Sequence, residues 1–298
     1  MITIFTPTYN RATTLPRLYN SLLKQTNHKF EWIIIDDGSV DNTEEIVAQF
    51  LSNDNPFEIV YKKKSNGGKH RAINDAVKMA RYDWFFIVDS DDFIIDTSVE
   101  KIISWTKTVE DDNSFAGVAG LRGYIEGDKK IGNYPTSEKY KDFIDATNLQ
   151  RAKFKLEGDK AEIYKTEILR KYPFPEFEGE NFLSEGVVWD SIAKDGYKIR
   201  WYNEIIYKCE YLAGGLTDGA LKNSINNFEG FTLYSKIQIE LKSGIAKQSQ
   251  IEIYLRVAKK KGLTTKEAAS NLGLSAMQVR IPSAIGFAKI ICKKIMKR

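Results

Sequence analysis

An α/β fold on a mainly parallel sheet is predicted by three features of the first hundred residues. Four short runs, ITIFTP, WIIID, FEIVYKK and WFFIVD, read as strands, the first, second and fourth of them apolar enough to be buried. The segments between them carry apolar residues at helical spacing. Strands that alternate with helices pair in parallel through right-handed crossovers.

Each element has its own signal. ITIFTP ends at a proline, and from Thr13 the stripe Leu15, Leu18, Leu22 and Leu23 reads as a helix with Pro16 in its first turn. After WIIID, the segment DNTEEIVAQFL opens with Asp41 and Glu44 at capping-box spacing. Beyond FEIVYKK and the turn SNGG, residues 69–81 place Ala72, Ile73, Ala76, Val77 and Ala80 on one helical face. FAGVAGLRGYI reads as a further strand. AEIYKTEIL and YKIRWYNEIIYKCEYL alternate as β structure, with a short helix in EGVVWDSIAKDG between them. From Gly219 the pattern is helical, with helices expected at 223–242, 251–261, 265–272 and 281–296. The chain therefore divides near residue 215, into a region 1–217 with halves 1–100 and 101–217, and a helical region 218–298.

Composition bounds the function. With 298 residues, 42% of them hydrophobic, the chain can bury a sizeable core. Its two cysteines, Cys209 and Cys292, stand far apart, which excludes a disulfide framework or structural zinc and suits a reducing cytoplasm. No secretory signal is visible at the start, and no run approaches the roughly 18 apolar residues of a spanning helix. A net charge of +4 is modest, and no nucleic-acid partner is expected. The charge is concentrated in the tail, at Lys289, Lys293, Lys294, Lys297 and Arg298. With Ile281, Ile285, Ala288, Ile291, Ile295 and Met296 near one face, 281–298 reads as a basic amphipathic helix. It either lies on a membrane surface or packs on the protein with a solvated basic side.

In open α/β sheets ligands bind outside the carboxyl ends of the strands. Here PTYNR, DDGS, SNGGK and DSDD follow the four strands in turn. Asp89, Asp91 and Asp92 crowd together, so DSDD is either a solvated turn or the seat of a hard divalent cation such as Mg²⁺ or Mn²⁺. DDGS offers carboxylates to a base or ribose, or forms a plain turn at Gly38. In SNGGKHR, paired glycines with Lys69, His70 and Arg71 suit anionic phosphates, although His70 and His28 also read as ordinary loop histidines. A Walker A loop and a G-x-G-x-x-G fingerprint are both missing, which argues against P-loop and nicotinamide sites.

Taken in order, TPTYNR, FEWIIIDDGSVDNT, NGGKHRAIN and DSDDF resemble the family 2 glycosyltransferases of the GT-A fold. The resemblance is strong over residues 1–100 and continues more weakly to about 217 through GENFLSEGVVWD and YLAGGLT. It implies a Rossmann-like sheet flanked by helices, and inverting, metal-dependent transfer from a nucleoside diphosphate sugar, here a UDP-sugar. The implied acceptor is a hydroxyl of a glycan or lipid-linked glycan in bacterial surface-polysaccharide synthesis.

The resemblance also implies roles. Pro7, Thr8 and Tyr9 would line the nucleoside pocket with Arg11 close by. Asp36, alone or with Asp37, would hold the base, and Gly68 and Lys69 would lie beside uracil and ribose. Asp89, next to Ser90, would contact the ribose or the metal shell. Asp91 would bind the Mn²⁺ or Mg²⁺, and Asp92 is left without a role. Glu185 would be the base that deprotonates the acceptor, with Glu180 and Asp190 as rivals. The residue itself equally reads as an acid at a helix N-terminus after Ser184. Trp201 or Tyr202 either border a sugar or pack, and the glycines Gly214, Gly215 and Gly219 suit a loop closing over the donor. Work on the inner face of the cell membrane and self-association are both compatible with this reading. A nucleotidyltransferase would carry a glycine-rich loop where TPTYNR stands. A non-catalytic binding module would not need intact acids at 36, 89, 91 and 185.

Overall fold

The structure is a computed structural model that describes residues 1–127, 129–209, 220–275 and 277–279. The chain runs β1 (Ile2–Thr8), α1 (Leu15–Leu23), β2 (Phe30–Asp36), α2 (Thr43–Ser52), β3 (Glu58–Lys63), α3 (Lys69–Met79) and β4 (Trp84–Ile87). It continues with β5 (Phe93–Ile94), α4 (Ser98–Thr106), β6 (Phe115–Tyr124), β7 (Phe143–Ala146), β8 (Lys160–Lys165) and α5 (Thr166–Lys171). Last come α6 (Gly186–Lys194), β9 (Lys198–Cys209), α7 (Ala220–Asn226), α8 (Phe228–Leu241), α9 (Gly244–Lys260) and α10 (Thr265–Leu272).

Two compact units emerge, Met1–Phe174 with Val188–Leu212, and Pro175–Val187 with Ala213–Arg298. In the first, the sheet order is β3-β2-β1-β4-β8-β6-β9-β5, with β7 also on β9. Strands β1 to β4 pair in parallel throughout, as the alternation of strand and helix predicts. The second half is mixed: β8 runs antiparallel between β4 and β6, while β6 and β9 are parallel. Strand β2 is buried along its whole length, as befits a central strand with both faces covered. Helix α1 carries Pro16 in its first turn and buries Leu15, Leu18 and Leu22. Two glycines let β6 pack closely. A Cβ at Gly117 would lie 2.0 Å from the Ile163 carbonyl oxygen, and one at Gly120 2.6 Å from Ile206 Cγ1.

The second unit has its own apolar core. Phe228, Ile239, Ile251, Tyr254, Val257, Ala258, Ala268 and Leu272 bring α8, α9 and α10 together. Helix α10 opens with a capping box of Thr264 and Glu267 and ends at Gly273 in the left-handed region, a standard start and a standard stop. Among the described residues no helix is long and apolar enough to cross a membrane. The expected tail helix at 281–296 and the glycines at 214, 215 and 219 lie outside the described residues.

Four local expectations differ from the structure. AEIYKTEIL is a strand only to Lys165; from Thr166 it is helix α5, burying Ile168 and Leu169 at helical spacing. The expected helix 223–242 breaks at Asn227, whose backbone leaves the helical region. Helix α9 starts at Gly244, well before residue 251. The capping box at Asp41 and Glu44 does not form. Asp41 instead accepts from the Thr43 amide and hydroxyl and from Ala12 N, and Glu44 pairs with Lys63 at 2.7 Å.

Because the Gly117 contact is with backbone, no side-chain rotation relieves it. Gly117→Ala should lower stability by roughly 1–3 kcal/mol, the usual cost of overpacking. A urea midpoint indistinguishable from wild type would contradict this packing.

Candidate active site

The carboxyl ends of β1, β2, β3 and β4 converge, and each carries polar groups. Thr8 and Asp36 are register partners at the ends of β1 and β2. Asp36 is fully buried; Oδ1 accepts from Ser39 N at 2.7 Å and Oδ2 from the Tyr61 hydroxyl at 2.9 Å. Burial and that carboxylate push the Tyr61 phenol up. Asp37 reaches across to the β3–α3 turn. Its Oδ1 accepts from Gly67 N at 2.9 Å, its Oδ2 from Gly68 N at 2.7 Å, and Lys64 Nζ sits 3.2 Å away. Gly38, between these acids and the next helix, has φ +88°, and a Cβ there would lie 2.9 Å from Asn66 N. Only glycine fits that turn.

These acids therefore fix the turns at the strand ends. Each carboxylate oxygen has lone pairs for more than one donor, so the bonds inside the protein leave capacity for a ligand. Thr8 Oγ1 is buried with no hydrogen-bond partner among the described residues. A buried orphan hydroxyl is costly unless a ligand completes it. Pro7 is half-buried and the Tyr9 ring is 46% exposed, which leaves it open for stacking.

The turn after β4 is the charged part. Asp89 pairs with Lys69 Nζ at 2.6 Å and lies 3.7 Å from Arg122, and its N–H donates to the Tyr207 hydroxyl at 3.0 Å. Burial works against ionising Asp89, but Lys69 and Arg122 outweigh it and hold the carboxyl below its ordinary range. Asp92 is buried; it accepts from the Tyr207 hydroxyl at 2.7 Å and lies 3.8 Å from Arg122. Burial pushes its carboxyl up to about 7; the Tyr207 bond opposes this and the charge of Asp89 adds to it. Ser90 is buried in the same turn. Asp91 points elsewhere. Its side chain is 35% exposed and meets Arg11 at 3.4 Å, while Arg17 donates to its carbonyl.

Asp92, left without a role by the sequence, is thus an internal anchor. Arg122 on β6 and Tyr207 on β9 escaped the sequence reading. The guanidinium of Arg122 lies 4.2 Å from the Tyr207 ring centre, and its Nε donates to the Lys160 carbonyl at 2.9 Å. A lone arginine in the apolar run FAGVAGLRGY was the available signal.

The other candidates separate. Trp201 and Tyr202 are packing residues: Trp201 is buried and donates to the Ala146 carbonyl, and Tyr202 stacks on Trp105 with ring centres 4.3 Å apart. His28 stacks on Phe57 and His70 is buried in α3. Asp190 accepts from Asn148 Nδ2 at 2.8 Å. Glu180 accepts from Glu229 N at 2.6 Å and Gly230 N at 2.8 Å. Glu185 directly precedes α6, in the stretch Pro175–Val187 that groups with the second unit.

Among the described residues no group of three or more His, Cys, Asp or Glu side chains is arranged to hold a metal. Magnesium-type sites do not need one. They take one or two carboxylates and complete the shell with water and substrate phosphates. Asp91, partly exposed and tied by one weak ion pair, fits that demand, and carboxylate oxygen suits Mg²⁺ or Mn²⁺.

Comparison with known proteins agrees with the motifs. Glycosyltransferase GlyG of Streptococcus pneumoniae serotype 4 is 29% identical over 140 residues, 47% of this chain and 45% of GlyG. The poly(ribitol-phosphate) beta-glucosyltransferase of Bacillus spizizenii is 28% identical over 124 residues, 41% of this chain and 20% of that protein. The chain thus spans less than half the length of either relative. Among solved structures, S. aureus TarS 1-349 in complex with UDP-GlcNAc superposes with a TM-score of 0.60 at 19% identity, covering 90% of this chain and 75% of TarS 1-349. The mannosyltransferase PcManGT from Pyrobaculum calidifontis, in complex with GDP-Man and Mn²⁺, gives 0.55 at 16% identity, covering 99% and 80%. At such identities the likeness speaks for the GT-A fold alone. The sequence match to the glycosyl transferase family 2 extends over residues 3–172, from β1 to the end of α5 and through all four carboxyl-edge motifs. By that match, over more than half its length, the chain belongs to glycosyl transferase family 2.

Proposed function

We propose that this chain transfers a sugar from a UDP-sugar to a hydroxyl acceptor with inversion, aided by a divalent cation. The observation that carries the reading is the paired arrangement at the sheet edge. A set of hydrogen-bonding groups around Asp36, Asp37 and Thr8 adjoins a cluster in which Lys69, Arg122 and Arg11 pair with the acids of the DSDD turn. The first suits a nucleoside and the second a diphosphate. TarS was solved with UDP-GlcNAc and PcManGT with GDP-Man and Mn²⁺, which supports a nucleotide-sugar donor and a metal here.

The chemistry follows from the leaving group. UDP departs with growing negative charge on its diphosphate, and fixed cations lower the barrier by stabilising that charge. Lys69 and Arg122 are held in place by Asp89, so they need no reorientation as the bond breaks. A divalent cation on Asp91 would supply further Lewis-acid stabilisation of the diphosphate. Glu185 acts as general base, taking the acceptor proton as its oxygen attacks the anomeric carbon from the face opposite UDP. One displacement with no enzyme nucleophile inverts the anomeric centre. The acceptor is a glycan or lipid-linked glycan in surface-polysaccharide synthesis; the name of the Bacillus spizizenii relative, a poly(ribitol-phosphate) beta-glucosyltransferase, supports a polymer hydroxyl as acceptor. The reading puts the enzyme in the cytoplasm, at the inner face of the cell membrane.

UDP release from a panel of UDP-glucose, UDP-galactose, UDP-GlcNAc and UDP-GalNAc, with Mn²⁺ and water as acceptor, tests the reaction. One member should be consumed. No release from any of them, with pyrophosphate formed from UTP and a sugar phosphate instead, would mark a nucleotidyltransferase.

Asp91→Ala tests the metal. The exposed pair with Arg11 is worth at most ~1 kcal/mol, so the fold should survive while turnover is lost. Calorimetric titration should show that Mn²⁺ strengthens UDP binding to the wild type and not to the variant. Full activity in that variant, or in excess EDTA, removes the metal from the mechanism.

Glu185→Gln tests the base. The amide keeps the size but takes no proton, so turnover should fall by about 10²–10⁴-fold, the usual worth of general-base catalysis. Donor affinity should stay unchanged. A rate within a few-fold of wild type, with Asp190→Asn inactive, would move the role to Asp190.

A further inference from the structure

We infer that Glu180 is a positioning residue for Glu185, acting through a clasp between the Glu185 segment and the start of helix α8. The inference rests on the proposed role of Glu185 as base. The bonds of the clasp lie within the second compact unit, to which Pro175–Val187 and the helices α8 to α10 both belong.

Helix α8 begins at Phe228, and its first amides have no partner within the helix. Glu180 supplies one from outside. Its Oε1 accepts from Glu229 N at 2.6 Å and its Oε2 from Gly230 N at 2.8 Å. A carboxylate in that position is also favoured by the helix dipole. Only 9% of Glu180 is exposed, so both bonds are sheltered from water. The grip is reciprocal. Asn227, at the break between α7 and α8, accepts from Asn181 N at 2.8 Å and Phe182 N at 3.0 Å through Oδ1. Its own Nδ2 donates to the Asn223 carbonyl at 2.9 Å.

The surfaces meet closely. A Cβ on Gly230 would lie 3.0 Å from Leu183 Cδ1 and 3.2 Å from Glu180 Oε2. Leu183 is itself buried. Downstream, Val187 N donates to the Ser184 carbonyl at 3.1 Å, and α6 begins at Gly186. Glu185 therefore sits on a short bridge between two fixed points, the clasp at 180–183 and the first turn of α6. A general base must stay within hydrogen-bond reach of the proton it removes. Displacing such a group by ~1 Å can cost about 10²-fold in rate. Releasing the upstream point would free the bridge and cost turnover without touching a donor contact.

The test compares Glu180→Gln, Glu185→Gln and the double variant, reading UDP release from the UDP-sugar that the wild type consumes, with water as acceptor. Glu180→Gln turns one acceptor oxygen into an NH₂ facing a backbone N–H. Its turnover should fall by about 10–100-fold with donor KM within about two-fold of wild type. The double variant should be no slower than Glu185→Gln alone, because a group acting through Glu185 is silent once that base is gone. Wild-type turnover in Glu180→Gln, with Glu185→Gln slow, overturns the clasp and leaves the base intact. Costs that multiply in the double variant overturn it too, because Glu180 then acts independently. Wild-type turnover in Glu185→Gln overturns the base itself, a result the other two do not produce. Should Glu180→Gln fail to fold, Gly230→Ala presses on the same carboxylate and carries the same comparison.

Discussion

Five carboxylates, Asp36, Asp37, Asp89, Asp91 and Asp92, gather at one edge of the sheet, and the site exists only because each has something to hold it. Like charges a few ångströms apart with little water between them oppose folding unless cations or hydrogen bonds intervene. The structure answers each acid separately. Tyr61 and Ser39 hold Asp36, the glycine amides and Lys64 hold Asp37, and Arg11 meets Asp91. The hardest pair is Asp89 and Asp92. There Arg122 lies within 3.8 Å of both carboxylates, and the Tyr207 hydroxyl donates to one acid while accepting from the amide of the other. A buried ion cluster of this kind is not a source of net stability, because desolvation offsets much of the attraction. What it supplies is geometry, with Lys69 and Arg122 held beside the strand ends.

That requirement explains the second half of the sheet. After β4 the chain crosses directly to β5, which pairs with β9 at Phe93–Lys208 and Ile94–Tyr207. The DSDD turn is thereby stretched across the edge, from β4 at one end to β9 at the other. Antiparallel β8 fills the gap between β4 and β6, which allows β6 to present Arg122 beneath the turn. The Lys160 carbonyl on β8 then takes the guanidinium Nε. Lys160 is buried, and burial, helped by the charge of Arg151, holds its ammonium down to about 8. It donates to the Glu157 and Gly158 carbonyls, and Glu162 on the same strand adds its charge to those that keep Arg122 protonated.

The first half of the fold was legible because its signals are local. Three of the first four strands are nearly contiguous apolar runs, β3 being the half-exposed exception, and each of the four is followed by the polar residues proposed for the site. The Asp41 and Glu44 spacing misled because Lys63, on the neighbouring strand, competes for Glu44. The break at Asn227 was invisible because its cause lies more than forty residues upstream, in the amides of Asn181 and Phe182. Arg122 and Tyr207 were missed for the same reason. Neither lies in a motif, and they meet only when β6 and β9 pair side by side. Asp92 read as surplus for want of those two partners.

The distribution of roles follows the same divide. The residues proposed to bind the donor lie on β1 and β2, at the start of α3, on β6 and in the turns that follow the first four strands, all within the first compact unit. Glu185, proposed for the acceptor, lies on a stretch that groups with the C-terminal helices. A nucleotide presents the same phosphates and base whatever sugar it carries, so one set of short motifs serves to hold it. An acceptor hydroxyl has no such constant features, and the group proposed to meet it lies beside long-range contacts such as those of Glu180 and Asn227 with segments distant in sequence. The donor half of such an enzyme can therefore be read from short stretches of sequence, whereas the acceptor half becomes readable only after the helices that carry it have been packed.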